Sequence, residues 1–172
     1  MAKVLTLKGD FKALQKWQAQ LNNTTELLQV VSENLAEEAI DLVKEGFATE
    51  TDPYGKKWAA LQLRSGKILQ KDGGLKGSWN PKRVTKKGFM LASGKAYAVY
   101  HQDGTGLFGP KNRRITPKKA KALKLGKSGL IRRSVKGSPR RLMVPVKDAL
   151  PPAWSKRFVD VAGEVLEAHF SK

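Results

Sequence analysis

Cysteine is absent from the sequence, and histidine occurs only twice among its 172 residues. Without cysteine the chain forms neither disulfide bonds nor thiolate metal sites. Two histidines make a conventional zinc site only together with several carboxylates, and Asp103 is the one acid close to His101 in the sequence. We therefore expect no metal and no other cofactor, and we interpret His101-Gln102 as a structural pair or a subunit contact.

Long apolar runs are also missing. No stretch approaches the roughly 20 apolar residues that a helix needs to cross a bilayer. The sequence Met1-Ala2-Lys3-Val4-Leu5 lacks the apolar core of a signal peptide. We therefore expect a protein that is made in the cytosol, stays soluble and has no membrane partner.

Motifs of catalysis are missing as well. Gly126-Lys127-Ser128 resembles the end of a phosphate-binding loop, but Lys121 stands where that loop requires its first glycine. No Ser-His-acid pattern with a nucleophile elbow occurs. The basic region also lacks the carboxylate cluster that would hold the metal of a nuclease. We therefore expect that the protein is not an enzyme.

Acidic residues are nearly absent from the middle of the chain. Of the 33 Lys and Arg residues, 25 lie between Pro53 and Lys147 together with only two acids, and the whole chain has a formal net charge of +18. This asymmetry favours a polyanion or an acidic protein as partner, although a solvated basic face has the same composition. The residues expected to face DNA or a partner form six doublets: Lys82-Arg83, Lys86-Lys87, Arg113-Arg114, Lys118-Lys119, Arg132-Arg133 and Arg140-Arg141.

The clearest element in the sequence is one long amphipathic helix, predicted over 24–48. Asn23 is a good N-cap for its start, and Glu26 occupies the capping-box position. Apolar residues recur at spacings of three and four from Leu28 to Phe47, and acidic residues occupy the other side. A turn follows, in which proline fixes φ and glycine tolerates a positive φ. The residues assigned to this turn and to the core behind it are Asp52, Pro53, Gly55, Trp58 and Leu61.

Shorter elements are predicted around this helix. They are a strand at 4–7, a helix at 11–21, a hairpin that turns at Lys86-Lys87-Gly88, a helix or buried strand at 95–102, strands at 130–131 and 142–144, and a helix at 153–170. Trp79, Phe89 and Tyr97 are predicted core residues. Residues 105–129 are predicted to form a long, exposed basic loop with a short helical piece at 117–125.

Together these elements predict an α+β fold. An antiparallel β-sheet packs against N-terminal helices and a C-terminal helix, and a long basic loop extends from it. We expect a single domain over 1–172, since the chain is long enough to bury one sizeable core. Its parts are a helical segment at 1–50, a basic strand-and-loop segment at 51–152 and the C-terminal helix at 153–172.

Three motifs, taken in order, give the chain a resemblance to a known family. The turn Asp52-Pro53-Tyr54-Gly55-Lys56-Lys57-Trp58-Ala59-Ala60-Leu61 has the pattern D-x-x-G-x-x-W-x-x-L. The segment Tyr97-Ala98-Val99-Tyr100-His101-Gln102-Asp103-Gly104 has the pattern Y-A-x-x-H-Q-x-G. Pro139-Arg140-Arg141-Leu142 follows after the basic loop and precedes the last helix. In this order the sequence resembles the phage virion morphogenesis or tail-completion family, typified by phages Mu and P2.

The resemblance implies a non-enzymatic structural protein of the phage neck or tail top. Such a protein forms a ring, a hexamer or a dodecamer, that completes the tail and takes part in head-tail joining around the DNA channel. Its neighbours would be connector, tail terminator or tail tube proteins, with double-stranded DNA in the lumen. It would lie in the virion after assembly in the host cytoplasm. The composition leaves a second function open, that of a sequence-independent nucleic-acid-binding protein.

Overall fold

A computed structural model of the chain describes residues 24–61, 65–125, 129–146 and 149–171. The predicted strand at 4–7, the predicted helix at 11–21, the Asn23 cap and Gly126-Lys127-Ser128 lie outside the described residues. The described α-helices are α1 (Thr24–Thr49), α2 (Ala98–Gln102) and α3 (Pro152–Phe170). The described strands are β1 (Trp79–Thr85), β2 (Gly88–Ser93), β3 (Leu123–Leu125) and β4 (Leu130–Arg132). Two 3-10 turns, Lys76–Ser78 and Gly106–Phe108, precede β1 and follow α2.

The α+β fold class is confirmed, with the described strands arranged in two small antiparallel sheets and not in a single one. β1 and β2 form the predicted hairpin, which turns at Lys86-Lys87. Lys82 is an extra residue in β1, because Pro81 and Arg83 lie opposite consecutive residues of β2. β3 and β4 form a separate short hairpin.

The hydrophobic core lies where α1 packs against the β1–β2 hairpin and α3. The buried residues of α1 are Leu27, Ser32, Ala36, Ala39, Leu42, Val43 and Phe47. Leu28 is 45% exposed, so its assignment to the core face is wrong, because the neighbouring Leu27 is the buried residue of that turn. Trp79 is buried and Phe89 packs against the core, as predicted. Tyr97 is 44% exposed, since it precedes α2 at the rim of a surface pocket.

The turn after α1 has the structure that the sequence predicts. Asp52 Oδ1 accepts hydrogen bonds from the amides of Tyr54 and Lys56, each at 2.9 Å. As in an Asx turn, the aspartate side chain thus binds two backbone amides of the turn after Pro53. Gly55 has φ +82°, in the left-handed region where a side chain would strain the backbone.

Trp58 fills the core behind this turn. Its ring meets Phe47 edge-on, with the ring centroids 5.3 Å apart. Its Nε1 donates a hydrogen bond of 2.9 Å to the carbonyl of Leu142, which lies 84 residues later in the chain. Leu61 packs against the same core and is partly buried. The motif therefore ties the end of α1 to the segment that precedes α3.

The strand predicted at 142–144 and the helix predicted at 117–125 are wrong, and the choice between helix and strand at 95–102 is decided. Residues 142–144 form no strand, because the side chain of Gln102 takes the amides of Met143 and Val144 in place of a neighbouring strand. Residues 117–125 form no helix, and they end in β3. Leu123 and Leu125 flank Lys124 with the period of a strand. For residues 95–102 the helical alternative is confirmed by α2.

α3 is the predicted C-terminal helix, and it begins with Pro152 at its first position. Trp154 is buried, and its ring meets Phe158 edge-on at 6.1 Å between centroids. Arg157 Nη2 lies 2.7 Å from Glu38 Oε1 of α1, in an ion pair without aligned hydrogen-bond geometry. The ion pair and the burial of Trp154 in the same core as Leu42 and Phe47 hold α3 on α1. Within the described ranges, no helix combines the length and the apolar character that crossing a membrane requires.

Replacing Trp58 with Ala should lower the free energy of unfolding by about 3–5 kcal/mol, because it removes a buried ring and leaves a cavity beside Phe47. Chemical denaturation of the purified protein measures the change. Trp58→Phe is the control, since it keeps an aromatic ring beside Phe47 and loses the hydrogen bond to Leu142 together with a smaller part of the buried volume. We expect a clearly smaller loss for Phe, and an unchanged unfolding midpoint for Ala would refute the role assigned to the ring.

Candidate functional site

Arg141 joins two of the sequence motifs in the interior of the protein. Arg141 is only 5% exposed. Nε and Nη2 donate hydrogen bonds of 2.9 and 2.8 Å to the carbonyl of Ala59, and Nη2 lies 3.2 Å from the carbonyl of Ala60. The expectation that Arg141 faces DNA or a partner is therefore wrong. Carbonyls at the end of the Trp58 turn bind this guanidinium within the fold.

Gln102, in the motif Tyr97–Gly104, binds the backbone that follows Arg141. Its Oε1 accepts hydrogen bonds from the amides of Met143 at 2.8 Å and Val144 at 3.3 Å, and its Nε2 donates to the carbonyl of Val144 at 2.8 Å. The amide side chain thus supplies the donors and acceptors that a β-strand would otherwise supply. The backbone amide of Arg141 donates to the carbonyl of His101 at 2.8 Å. Of the two alternatives for His101-Gln102, a structural pair or a subunit contact, these bonds favour the structural pair.

His101 lies on the wall of a pocket of about 480 Å³ that Tyr97, Lys71 and Arg141 also line. Burial lowers the pKa of His101 below its ordinary value of 6.5, and the positive charge of Arg141 lowers it further. Its Nδ1 is buried and has no hydrogen-bond partner among the described residues. Across those residues no group of three or more His, Asp or Glu side chains is placed to hold a metal ion.

Two backbone segments cross tightly after α2, and we call this contact the glycine crossing. It is formed by residues 104–109 and 136–138. The amide of Thr105 donates to the carbonyl of Ser138 at 3.0 Å, and the amide of Leu107 donates to the carbonyl of Lys136 at 2.7 Å. A Cβ at Gly106 would lie 2.1 Å from the carbonyl oxygen of Lys136, and one at Gly137 would lie 2.1 Å from that of Thr105. Only glycine fits at either position.

Residues 110–135, which we call the basic segment, begin and end at this crossing. Residues 110–116 and 118–121 are exposed, as the sequence predicts. The segment is nevertheless ordered near its base, because Ile115 and Val135 exchange two backbone hydrogen bonds of 2.9 and 3.0 Å. β3 and β4 pair farther along it. The crossing and the Ile115–Val135 bridge thus hold exposed cations on a fixed backbone.

A groove of about 510 Å³ lies against the crossing, and we call it the basic groove. Its backbone wall contains Gly104, Gly106 and Gly109. The exposed charged and aromatic residues that line it are Tyr100, Lys111, Arg113, Arg114 and Lys118. No acidic residue appears in this described lining. The groove is therefore a concave, positively charged surface with one aromatic ring at its edge.

The structure brings some of the predicted basic residues together and leaves others apart. Arg113, Arg114 and Lys118 line the groove, and Lys119 is exposed directly beside Lys118 in the chain. The remaining exposed members are Arg132 and Arg133 at the end of β4, Arg140, and Lys82, Arg83, Lys86 and Lys87 on the β1–β2 hairpin. Arg140 is anchored as well, since its Nε donates to the carbonyl of Gln102 at 3.1 Å.

Sequence reasoning missed Tyr100 and Lys111 as groove residues, and it treated Gly106 only as a breaker of regular structure. The signal in the sequence was the density of glycine between Gly104 and Gly109, which indicates a close backbone approach as well as a turn. The other half of the crossing, Gly137, lies 31 residues after Gly106. No local pattern pairs the two.

With this geometry established, comparison with known proteins gives the class of the chain. The sequence matches the phage virion morphogenesis family over residues 9–147. This range includes α1, both hairpins, the basic groove and Arg141. The chain belongs to the phage virion morphogenesis family, and the resemblance carried by the three motifs is confirmed. No curated protein and no solved structure matches it.

Replacing Gly106 with Ala should destabilise the protein by more than the strain of its backbone alone. Gly106 has φ +66° and Gly73 has φ +68°. The left-handed backbone therefore destabilises an alanine at either position by a similar amount, about 1–2 kcal/mol. A Cβ at Gly73 meets no described atom within 4 Å, whereas one at Gly106 overlaps the Lys136 carbonyl. We expect about 1–3 kcal/mol of further loss for Gly106→Ala, from crowding. Equal losses of the two variants in denaturant titrations would show that the close approach is unimportant.

Acid should destabilise the protein through His101. Because the pKa of His101 is lower in the folded chain than in the unfolded chain, the unfolded chain binds the proton more readily. The free energy of unfolding should therefore be fully retained above about pH 6.5, the unfolded pKa, and should fall as the pH drops from there through the folded value. Denaturant titrations at about pH 7.5 and about pH 5.5 measure the change. His101→Asn should reduce the fall; the same fall in the unaltered protein and in the variant would exclude His101.

Proposed function

We propose that this protein is a ring-forming component of the phage neck or tail top. The ring, a hexamer or a dodecamer, completes the tail and takes part in joining it to the head around the DNA channel. The observation that carries the proposal is membership of the phage virion morphogenesis family, whose description places the chain in the building of the virion. The role is structural and involves no catalysis.

The exposed cations support a position beside the DNA channel. Lys82, Arg83, Lys86 and Lys87 lie exposed on the β1–β2 hairpin, on a different element from the basic groove. Contacts between Lys or Arg and phosphate oxygens carry no sequence information, so they suit a channel through which DNA of any sequence passes. The two sets of cations allow one to meet DNA and the other to meet an acidic protein.

The way in which the basic groove is held supports an assembly role. A flexible loop would pay conformational entropy each time it was ordered by a partner. Here the glycine crossing and the Ile115–Val135 bridge fix the backbone before any partner binds. The proposed partners are copies of the chain itself, connector, tail terminator or tail tube proteins, and double-stranded DNA.

Sequence-independent nucleic-acid binding without a ring is the second candidate function. The same exposed cations favour it, because phosphate contacts alone give affinity for any sequence. The two functions differ in assembly state. A monomer that binds DNA tightly in moderate salt fits the second candidate, whereas a closed cyclic oligomer fits the first.

The experiment that tests the proposal measures assembly and phenotype together. Native mass spectrometry and electron microscopy of the purified chain should show closed rings of one copy number. Phages that lack the chain should accumulate heads and tails that do not join, and supplying the intact chain in trans should restore infectious particles. A chain that stays monomeric at every concentration, in a phage whose heads and tails still join without it, would exclude the neck role.

A further inference from the structure

The solvent side of α1 carries a line of acidic residues. Glu33, Glu37 and Asp41 follow one another at four-residue spacing and are all exposed. They therefore lie on one face of the helix, over a length of about 12 Å. Val30 lies on the same face and is 45% exposed. We call Glu33, Glu37 and Asp41 the acidic ridge.

Little within one protomer neutralises the ridge or the basic groove. Asp41 pairs with Lys44 at 2.7 Å, with both side chains at least half exposed, and Glu33 accepts a hydrogen bond from Gln29. Exposed local pairs of this kind contribute little and are easily exchanged. In the described part of the chain, no ion pair involves a cation of the groove. α1 itself packs on the β1–β2 hairpin and α3 through its opposite face.

A closed ring requires two different surfaces on each copy, because each subunit contacts the next one head to tail. Subunits with a formal net charge of +18 repel one another unless opposite charges meet at the contact. The described residues carry exposed acids on helical faces of α1 and of α3, and a concave basic surface beside the glycine crossing. The acidic ridge of α1 is complementary in charge to the basic groove.

We propose that the acidic ridge of one copy docks in the basic groove of the next copy. This inference rests on the proposed ring and names the contact that closes it. Glu33, Glu37 and Asp41 would meet Arg113, Arg114 and Lys118, with Lys111 beside them. The charges would steer the copies together and set their register, so that assembly weakens as salt increases.

Apolar residues on both surfaces favour a protein occupant over DNA. Tyr100 lines the groove and is 59% exposed, and Ile115 lines it and is 38% exposed. Val30 is exposed beside the ridge. Protein interfaces combine aromatic and aliphatic contacts with a charged rim, whereas a phosphate backbone offers no apolar surface to bury.

Charge reversal tests the contact with matched variants. The ridge variant carries Glu33→Lys, Glu37→Lys and Asp41→Lys, and the groove variant carries Arg113→Glu, Arg114→Glu and Lys118→Glu. Native mass spectrometry should find each variant monomeric at a concentration where the unaltered chain is fully assembled. An equimolar mixture should recover rings in which the two variants alternate, since each contact again joins opposite charges. Recovery in the mixture also shows that both variants are folded.

The control reverses three exposed acids of α3 with the same change of charge, Asp160→Lys, Glu164→Lys and Glu167→Lys. This variant should assemble as the unaltered chain does. Rings formed by either the ridge variant or the groove variant alone would overturn the docking and leave the proposed ring intact. A groove variant that keeps its ring but loses DNA affinity would assign the groove to DNA and overturn the docking as well. Variants that remain monomeric when mixed would equally count against it, and an unaltered chain that forms no ring would contradict the proposed function itself.

Discussion

The buried guanidinium of Arg141 is the interaction on which the arrangement of the site depends. A positive charge removed from water is tolerated only when its donors are bound, and here the carbonyls of Ala59 and Ala60 bind them. The backbone amide of the same residue binds the carbonyl of His101. One residue thus locks the turn after α1 to α2. The glycine crossing lies next to it, because the second segment of the crossing ends at Ser138, three residues before Arg141.

The sequence predicted the elements that depend on contacts within a few residues. α1 is visible in its periodicity, the turn at Asp52 in its turn chemistry, and the hairpin in Lys86-Lys87-Gly88. The helix predicted at 117–125 misreads a local pattern, whereas the errors at Arg141 and at 142–144 concern contacts between distant parts of the chain. Arg141 has the same local sequence context as exposed Arg140, and only the distant carbonyl of Ala59 distinguishes them. Residues 142–144 have the composition of a strand, but the side chain of Gln102 occupies their backbone groups.

The candidate site was predictable in its charge and not in its shape. Composition alone pointed to Arg113, Arg114 and Lys118 as exposed cations. That these side chains line a groove depends on how Gly106 meets Gly137, and two glycines 31 residues apart carry no periodicity that would pair them. Tyr100 was part of a recognised motif, yet its place at the groove depends on the same crossing. The geometry of the groove therefore follows from non-local backbone contacts that a single sequence does not display.

The glycine crossing also closes the ends of the segment that it holds. Because residues 104–109 and 136–138 are bound backbone to backbone, the chain between them leaves and re-enters the fold at a single point. Once the ends of a loop are fixed together, doubling its length adds only about 0.6 kcal/mol of closure entropy. An insertion beyond the Ile115–Val135 bridge should therefore cost little closure entropy, and α1, the β1–β2 hairpin and α3 lie outside the closed segment. The reach of the projecting part is thus adjustable independently of the stability of the domain that carries it.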